Sequence, residues 1–151
     1  MSRLIFSAMT IALSAAIGAT NAGEPAKGHA PPLASALDAR KAFRAQVEEV
    51  FIKSLPKAAQ EIWQARLAGL EDGRKWSVRR QLFASGWNRV NGTLSEKEQQ
   101  TRILYGTMDA LRSAKGDCWA FEYLADPKGT LIGYLDAKSG RLVFLWHAPE
   151  G

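Results

Sequence analysis

The chain has 151 residues, 46% of them hydrophobic and 23% charged, and a formal net charge of +5. Size and composition are those of one ordinary globular domain, which excludes a collagen and a long disordered chain. One cysteine cannot close an intrachain disulfide, and one cysteine with two histidines cannot build a cysteine-rich zinc site.

The N-terminus reads as an address. Arg3 precedes an apolar run from Leu4 to Gly18, and Thr20-Asn21-Ala22 places small residues at the −3 and −1 positions of a cleavage site. This pattern predicts a secretory signal peptide over 1–22, cut after Ala22. The run falls short of the roughly 20 residues of a membrane span, and no second run of that length follows, so no transmembrane span is expected after cleavage. The short basic n-region points to bacterial export, into the periplasm or beyond. Cleavage leaves 129 residues with a formal charge of +4. Residues 23–34, GEPAKGHAPPLA, hold three prolines and little to bury, which predicts a flexible leader containing His29. Residues 35–151 are expected to form a single domain.

Four helices are expected next. The first spans Ser35 to Ser54, with Ser35 as cap, Asp38 three residues on, and Phe43, Val47, Val50 and Phe51 on one face. Leu55-Pro56 breaks it. The second runs from about Pro56 to Leu70 with a stripe of Ala59, Ile62, Trp63, Leu67 and Leu70. A third is expected from Arg74 to Val90, with Trp76, Phe83, Trp87 and Val90 at helical spacing, weakened by Gly86 and ended by an Asn91-Gly92 turn. The fourth opens on the capping box Ser95-Glu96-Lys97-Glu98, carries Ile103, Leu104, Met108 and Leu111, and ends at Lys115-Gly116.

After Gly116 the hydrophobic period changes to two. Strands are expected over 118–125, 130–137 and 141–147, joined by Asp126-Pro127-Lys128-Gly129 and Lys138-Ser139-Gly140. The fold class is therefore α+β: about four N-terminal helices followed by a three-stranded antiparallel meander. Pairing Ala125 with Thr130 makes partners in the first hairpin sum to 255, and pairing Ala137 with Arg141 makes those in the second sum to 278. One face then collects Trp119, Phe121, Tyr123, Ile132, Tyr134, Asp136, Leu142, Phe144 and Trp146. The other collects Cys118, Ala120, Glu122, Leu124, Leu131, Gly133, Leu135, Val143, Leu145 and His147. Both are mostly apolar, so both should be covered, by helices split across them or by helices on one side and a partner, a second copy or a ligand on the other. A one-residue change in either loop exchanges the faces.

Catalytic signals are sparse. Cys118-Trp119-Ala120-Phe121 resembles the segment around the nucleophile of papain-like cysteine proteases, where it opens a helix. The likeness covers four residues and implies a Cys118 nucleophile, with His147 as the sole later histidine. Strand geometry opposes that dyad by roughly 20 Å along the strands. Glu122 stands among apolar residues and calls for a partner such as Arg141 or Lys115, or for a pocket. There is no glycine-rich phosphate loop, GxSxG elbow or HExxH, and neither cofactor nor metal is expected.

Charge gives the clearest signal. Between Asp72 and Glu96 there is no carboxylate, while Arg74, Lys75, Arg79, Arg80 and Arg89 make a +5 interval interleaved with Trp76 and Trp87. These five cations, with Trp119, Tyr134 and Trp146 on a sheet face, are the candidate partner-binding residues. They suit an anionic envelope partner or an acidic protein. Nucleic acid is not expected for an exported chain, and a homo-oligomer stays open. The expectation is a small exported binding module of inhibitor or immunity type. The alternative is a hydrolase of cell-envelope material using Cys118 or Glu122.

Overall fold

The computed structural model describes residues 33–124 and 130–149. The expected signal peptide, most of the leader with His29, and the Asp126–Gly129 turn lie outside them. The described chain is α+β, with five helices and one five-stranded antiparallel sheet rather than four helices and three strands. In chain order these are α1 (Ala36–Val50), a 3-10 turn (Ile52–Ser54), α2 (Lys57–Ala68), β1 (Trp76–Leu82), α3 (Phe83–Thr93), α4 (Glu96–Arg102), β2 (Ile103–Tyr105), α5 (Met108–Ser113), β3 (Asp117–Tyr123), β4 (Thr130–Asp136) and β5 (Leu142–Ala148). The strand order is β1-β3-β4-β5-β2.

The expected meander forms the sheet's centre, and two unforeseen strands flank it. The first, β1, replaces the start of the predicted third helix. Trp76 to Leu82 pair residue for residue with β3, from Trp76 opposite Tyr123 to Leu82 opposite Asp117. The helix begins only at Phe83, and it runs through Asn91-Gly92, which is not a turn. The second, β2, divides the predicted fourth helix. Ile103 and Tyr105 pair with β5, and Gly106, at φ +89°, then turns the chain toward Thr107, which caps α5. Thr107 was a readable start signal, since its hydroxyl accepts from the Ala110 N–H at 3.0 Å.

Local signals held where the chain decides its own structure. Ser35 Oγ accepts from the Asp38 N–H at 3.1 Å, and Ser95 and Glu98 make both halves of the capping box. Ala39, Phe43 and Val47 bury the inner face of α1. Trp63 and Leu67 do the same for α2, but Ile62, placed on that stripe, is 56% exposed.

Two apolar layers cover the sheet. On one face α1, the 3-10 turn and α2 pack Phe43, Val47, Trp63 and Leu67 against Trp76, Trp119, Phe121, Leu131 and Leu145. On the other, α3 and α5 pack Phe83, Val90 and Leu111 against Cys118, Ala120, Ile132, Tyr134, Phe144 and Trp146. The helices therefore split across the sheet, which is why its central strands alternate so little.

The β3–β4 register differs by one residue from the expected one. Cys118 stands opposite Asp136, Phe121 opposite Gly133 and Tyr123 opposite Leu131, so partners sum to 254. The second hairpin follows the expected 278 from Thr130–Ala148 to Tyr134–Phe144, then shifts at Leu135. The single-residue slip turns β3 over relative to β4 and β5. Trp119 and Phe121 thus join Leu131 and Leu145, while Cys118, Ala120 and Glu122 join Tyr134 and Trp146. The cause is visible at the centre. Phe43 stacks on Phe121 with ring centroids 4.0 Å apart and planes 7° from parallel, in the space that Gly133 leaves open: a Cβ there would stand 2.7 Å from Phe43 Cε1.

Gly133→Ala should displace the Phe43 ring and lower stability by about 1–3 kcal/mol in urea unfolding, as overpacking of a close-packed core does. Gly92→Ala, in α3 with nothing within 4 Å of the added carbon, should be neutral or stabilising by up to about 1 kcal/mol.

Candidate functional site

The five cations of the basic interval do not lie on one helix face. Arg74 and Lys75 precede β1, and Arg79 and Arg80 fall on opposite faces of that strand. Arg89 lies in α3. Strand alternation sends Arg79 toward the α3 side of the sheet and Arg80 toward the α1–α2 side.

On the α3 side, Arg79 and Arg89 converge on one carboxylate. Arg79 reaches Glu122 Oε2 at 3.0 Å and Arg89 Nη1 donates to the same oxygen at 2.7 Å. Glu122 is buried, with 11% of its side chain exposed, whereas the guanidinium groups keep half or somewhat less of their surface in water. This supplies the partner that a carboxylate among apolar residues requires, and the partners are Arg79 and Arg89 rather than Arg141 or Lys115. Two cations on one anion leave a net positive charge at the rim. Arg79 Nε also donates to Gln81 Oε1 at 3.2 Å, which fixes its fork along the strand.

On the other side, Arg80 Nε donates to Asp117 Oδ2 at 3.0 Å, and its guanidinium lies 5.9 Å from the Trp119 ring centre. Leu33, placed by the sequence in the flexible leader, is anchored here. Its N–H donates to the Ala137 carbonyl at 2.7 Å. Its own carbonyl accepts from Trp119 Nε1 at 3.0 Å and from Arg80 at 3.5 Å. Before β1, Arg74 holds Asp72 through a two-pronged contact at 3.1 Å, and this hydrogen bonding keeps the Asp72 carboxyl below its ordinary range.

The three aromatic candidates are not one patch. Trp119 is on the α1–α2 side, Tyr134 and Trp146 on the α3 side, and all three are buried. Their rings pack into the two apolar layers rather than lying at the surface beside the cations. Tyr134 packs under Gly86 of α3, where a Cβ would stand 3.0 Å from the phenol ring. That contact explains a glycine which local propensity only penalises. The Tyr134 hydroxyl and the Trp146 indole N–H are both sealed from solvent without an aligned hydrogen bond. Burial pushes the Tyr134 phenol up to about 12, opposed first by the nearby Trp146 N–H.

Cys118 is fully buried in β3. Burial pushes its thiol from an ordinary 9.0 up to about 12, with Asp117 and Asp136 adding to the rise. It faces α3, whereas His147, opposite Leu131, faces the α1–α2 side. The two residues implied by the protease-like tetrapeptide therefore stand on opposite faces of the sheet. Cys118-Trp119-Ala120-Phe121 is strand, not the opening of a helix.

Two open grooves of moderate size flank the same sheet end. One, of about 400 Å³, is lined by Arg80, Lys115, Gly116, Asp117, Asp136, Ala137 and Lys138. The other, of about 460 Å³, runs between the Tyr105–Ala110 and Asp136–Val143 segments. Among the described residues, no three His, Cys, Asp or Glu side chains group as metal ligands, and no helix is long and apolar enough to cross a membrane. The chain matches no protein-family model, no curated protein and no solved structure, so the site is read from its own geometry.

Glu122→Gln should cost about 1–2 kcal/mol, since it leaves Arg79 and Arg89 facing each other with only a neutral acceptor. Both guanidinium groups keep water contact, which holds the loss below that of a sealed ion pair. Thiol labelling should modify Cys118 only on denaturation. The unfolded thiol and phenol ionise near 9 and 10, whereas Cys118 and Tyr134 resist to about 12 in the folded state. The unfolded state therefore releases protons first, and stability is full below pH 9 and falls as pH rises from there toward 12. Cys118→Ala should flatten part of that decline.

Proposed function

We propose that this chain is a small exported binding module, of inhibitor or immunity type, which engages an anionic partner in the cell envelope. The observation that carries this reading is the arrangement of the basic interval. Arg74, Arg79, Arg80 and Arg89 meet three carboxylates, Asp72, Glu122 and Asp117, and with Lys75 they keep an excess of positive charge at one margin of the sheet. Exposed cations ordered by neighbouring acids make a patch that attracts and orients an anionic surface. Arg79 and Arg89 are ordered in this way by the buried Glu122, so the patch has a fixed shape as well as a charge. Export rests on the reading of residues 1–22 as a signal peptide, and places the partner in the periplasm or outside the cell.

The test is binding of the chain from Gly23 onward to poly-glutamate and, separately, to phosphatidylglycerol vesicles. At about 20 mM salt the chain should bind at least one of them, and affinity should drop at least about tenfold by 300 mM, where exposed charges are screened. Reversing Arg74 and Lys75 to Glu should weaken binding and lower the melting temperature only slightly, because the Arg74–Asp72 contact given up lies at the surface, with the Arg74 side chain 90% exposed. Binding insensitive to salt and to these reversals would contradict the reading.

A further inference from the structure

Among the described residues, the sheet margin that carries these cations is an open strand edge. β1 is the outermost strand on its side, and it is seven residues long, with no register break against β3. The Leu124 N–H donates to the Lys75 carbonyl and the Phe83 N–H to the Gly116 carbonyl. In an antiparallel pair the bonded positions alternate, so Ser77, Arg79 and Gln81 spend their main-chain groups on β3. Those of Val78, Arg80 and Leu82 point away from the sheet. The Leu82 side chain is also 55% exposed. The opposite edge, β2, has only three residues and an irregular register.

We propose that β1 is the docking edge, and that an extended acidic segment of a partner protein adds to it as a sixth strand. The inference rests on the anionic-partner reading above and gives it a mode of contact. Main-chain hydrogen bonds would supply affinity and side chains specificity. Arg79 and Arg80 project to opposite faces, so the complementary feature is two consecutive acids in the added strand. Lys115 and Lys138, in the groove beside Arg80, extend the positive charge past the strand's end.

A second copy of the chain is the poorer occupant. The antiparallel self-pairings that use the outward groups with greatest overlap are centred on residue 79 or 80. They set Arg79 against its own counterpart, or Arg80 against its own, and like charges directly opposed destabilise a strand pair. The same arginines guard the edge against aggregation, while an acidic strand turns that repulsion into attraction.

The probe is a capped hexapeptide, Thr-Ile-Glu-Glu-Ile-Thr, compared with its Lys-Lys counterpart and with a version N-methylated at alternate residues. Amide hydrogen exchange of the isotope-labelled chain is read residue by residue. The Glu-Glu peptide should slow exchange at Val78, Arg80 and Leu82 by at least about tenfold and leave the protected Ser77, Arg79 and Gln81 amides nearly unchanged. The other two peptides should do neither. Peptide binding without this alternation, or binding that survives N-methylation, overturns the edge inference and leaves the anionic-partner reading standing. Protection that grows with protein concentration in the absence of peptide overturns it in favour of a second copy. No binding of the peptide, of poly-glutamate or of the vesicles overturns both.

Discussion

The Phe43 ring, stacked on Phe121 in the gap left by Gly133, sets the arrangement of the rest of the molecule. Phe121 and Gly133 are cross-strand partners, so one contact fixes both the β3–β4 register and the seat of α1 on the sheet. Were the register one residue different, β3 would present its other face to each helical layer. Glu122 would then turn away from Arg79 and Arg89, its two partners at 3.0 and 2.7 Å, toward the α1–α2 layer. The buried carboxylate and the aromatic stack thus favour the same register, the one through its contacts with Arg79 and Arg89 and the other by volume.

That register also determines what the molecule can present. With Cys118 and Ala120 turned toward Tyr134 and Trp146, β3 is covered on both sides and its one thiol is buried. Glu122, next to the C-terminal residue of β3, is the exception among its buried residues. It ties the edge strand to the helix that follows it, with a guanidinium from each. The apolar sandwich supplies stability, and the chemistry available to a partner is left to the margin: a strand edge, its arginines and the groove at its end.

Much of this was legible from local sequence. Ser35 and Ser95 announce their helices through caps that each involve four consecutive residues. The three meander strands fall within two residues of their expected limits, and their doubly apolar character correctly implied covering on both faces. The failures share a cause. Trp76 to Leu82 form a strand because β3 lies more than thirty residues away to pair with them, and local spacing cannot register that. The accident that Trp76, Phe83, Trp87 and Val90 stand at helical intervals hid the strand. Ile103 to Tyr105 were lost in the same way, although Gly106-Thr107 is a breaker followed by a cap. The basic interval was found by charge alone. Its division between two faces, and the pairing of Arg79 and Arg89 with Glu122, became visible only with β1 in the sheet. Asp117 as the partner of Arg80, and Leu33 as an anchor, carry no local sequence signal.

The central claim is therefore the register that places Glu122 on the α3 side, and cross-strand proton contacts test it directly. Ala137 N–H bonds the Asp117 carbonyl, so the even-numbered residues of β3 are the pairs without mutual hydrogen bonds, whose Hα atoms lie closest together. The account predicts strong Hα–Hα contacts for Ala120 with Tyr134 and for Glu122 with Ile132. Contacts shifted by one residue, joining Glu122 to Gly133, would contradict it and remove the basis for an ordered cationic margin.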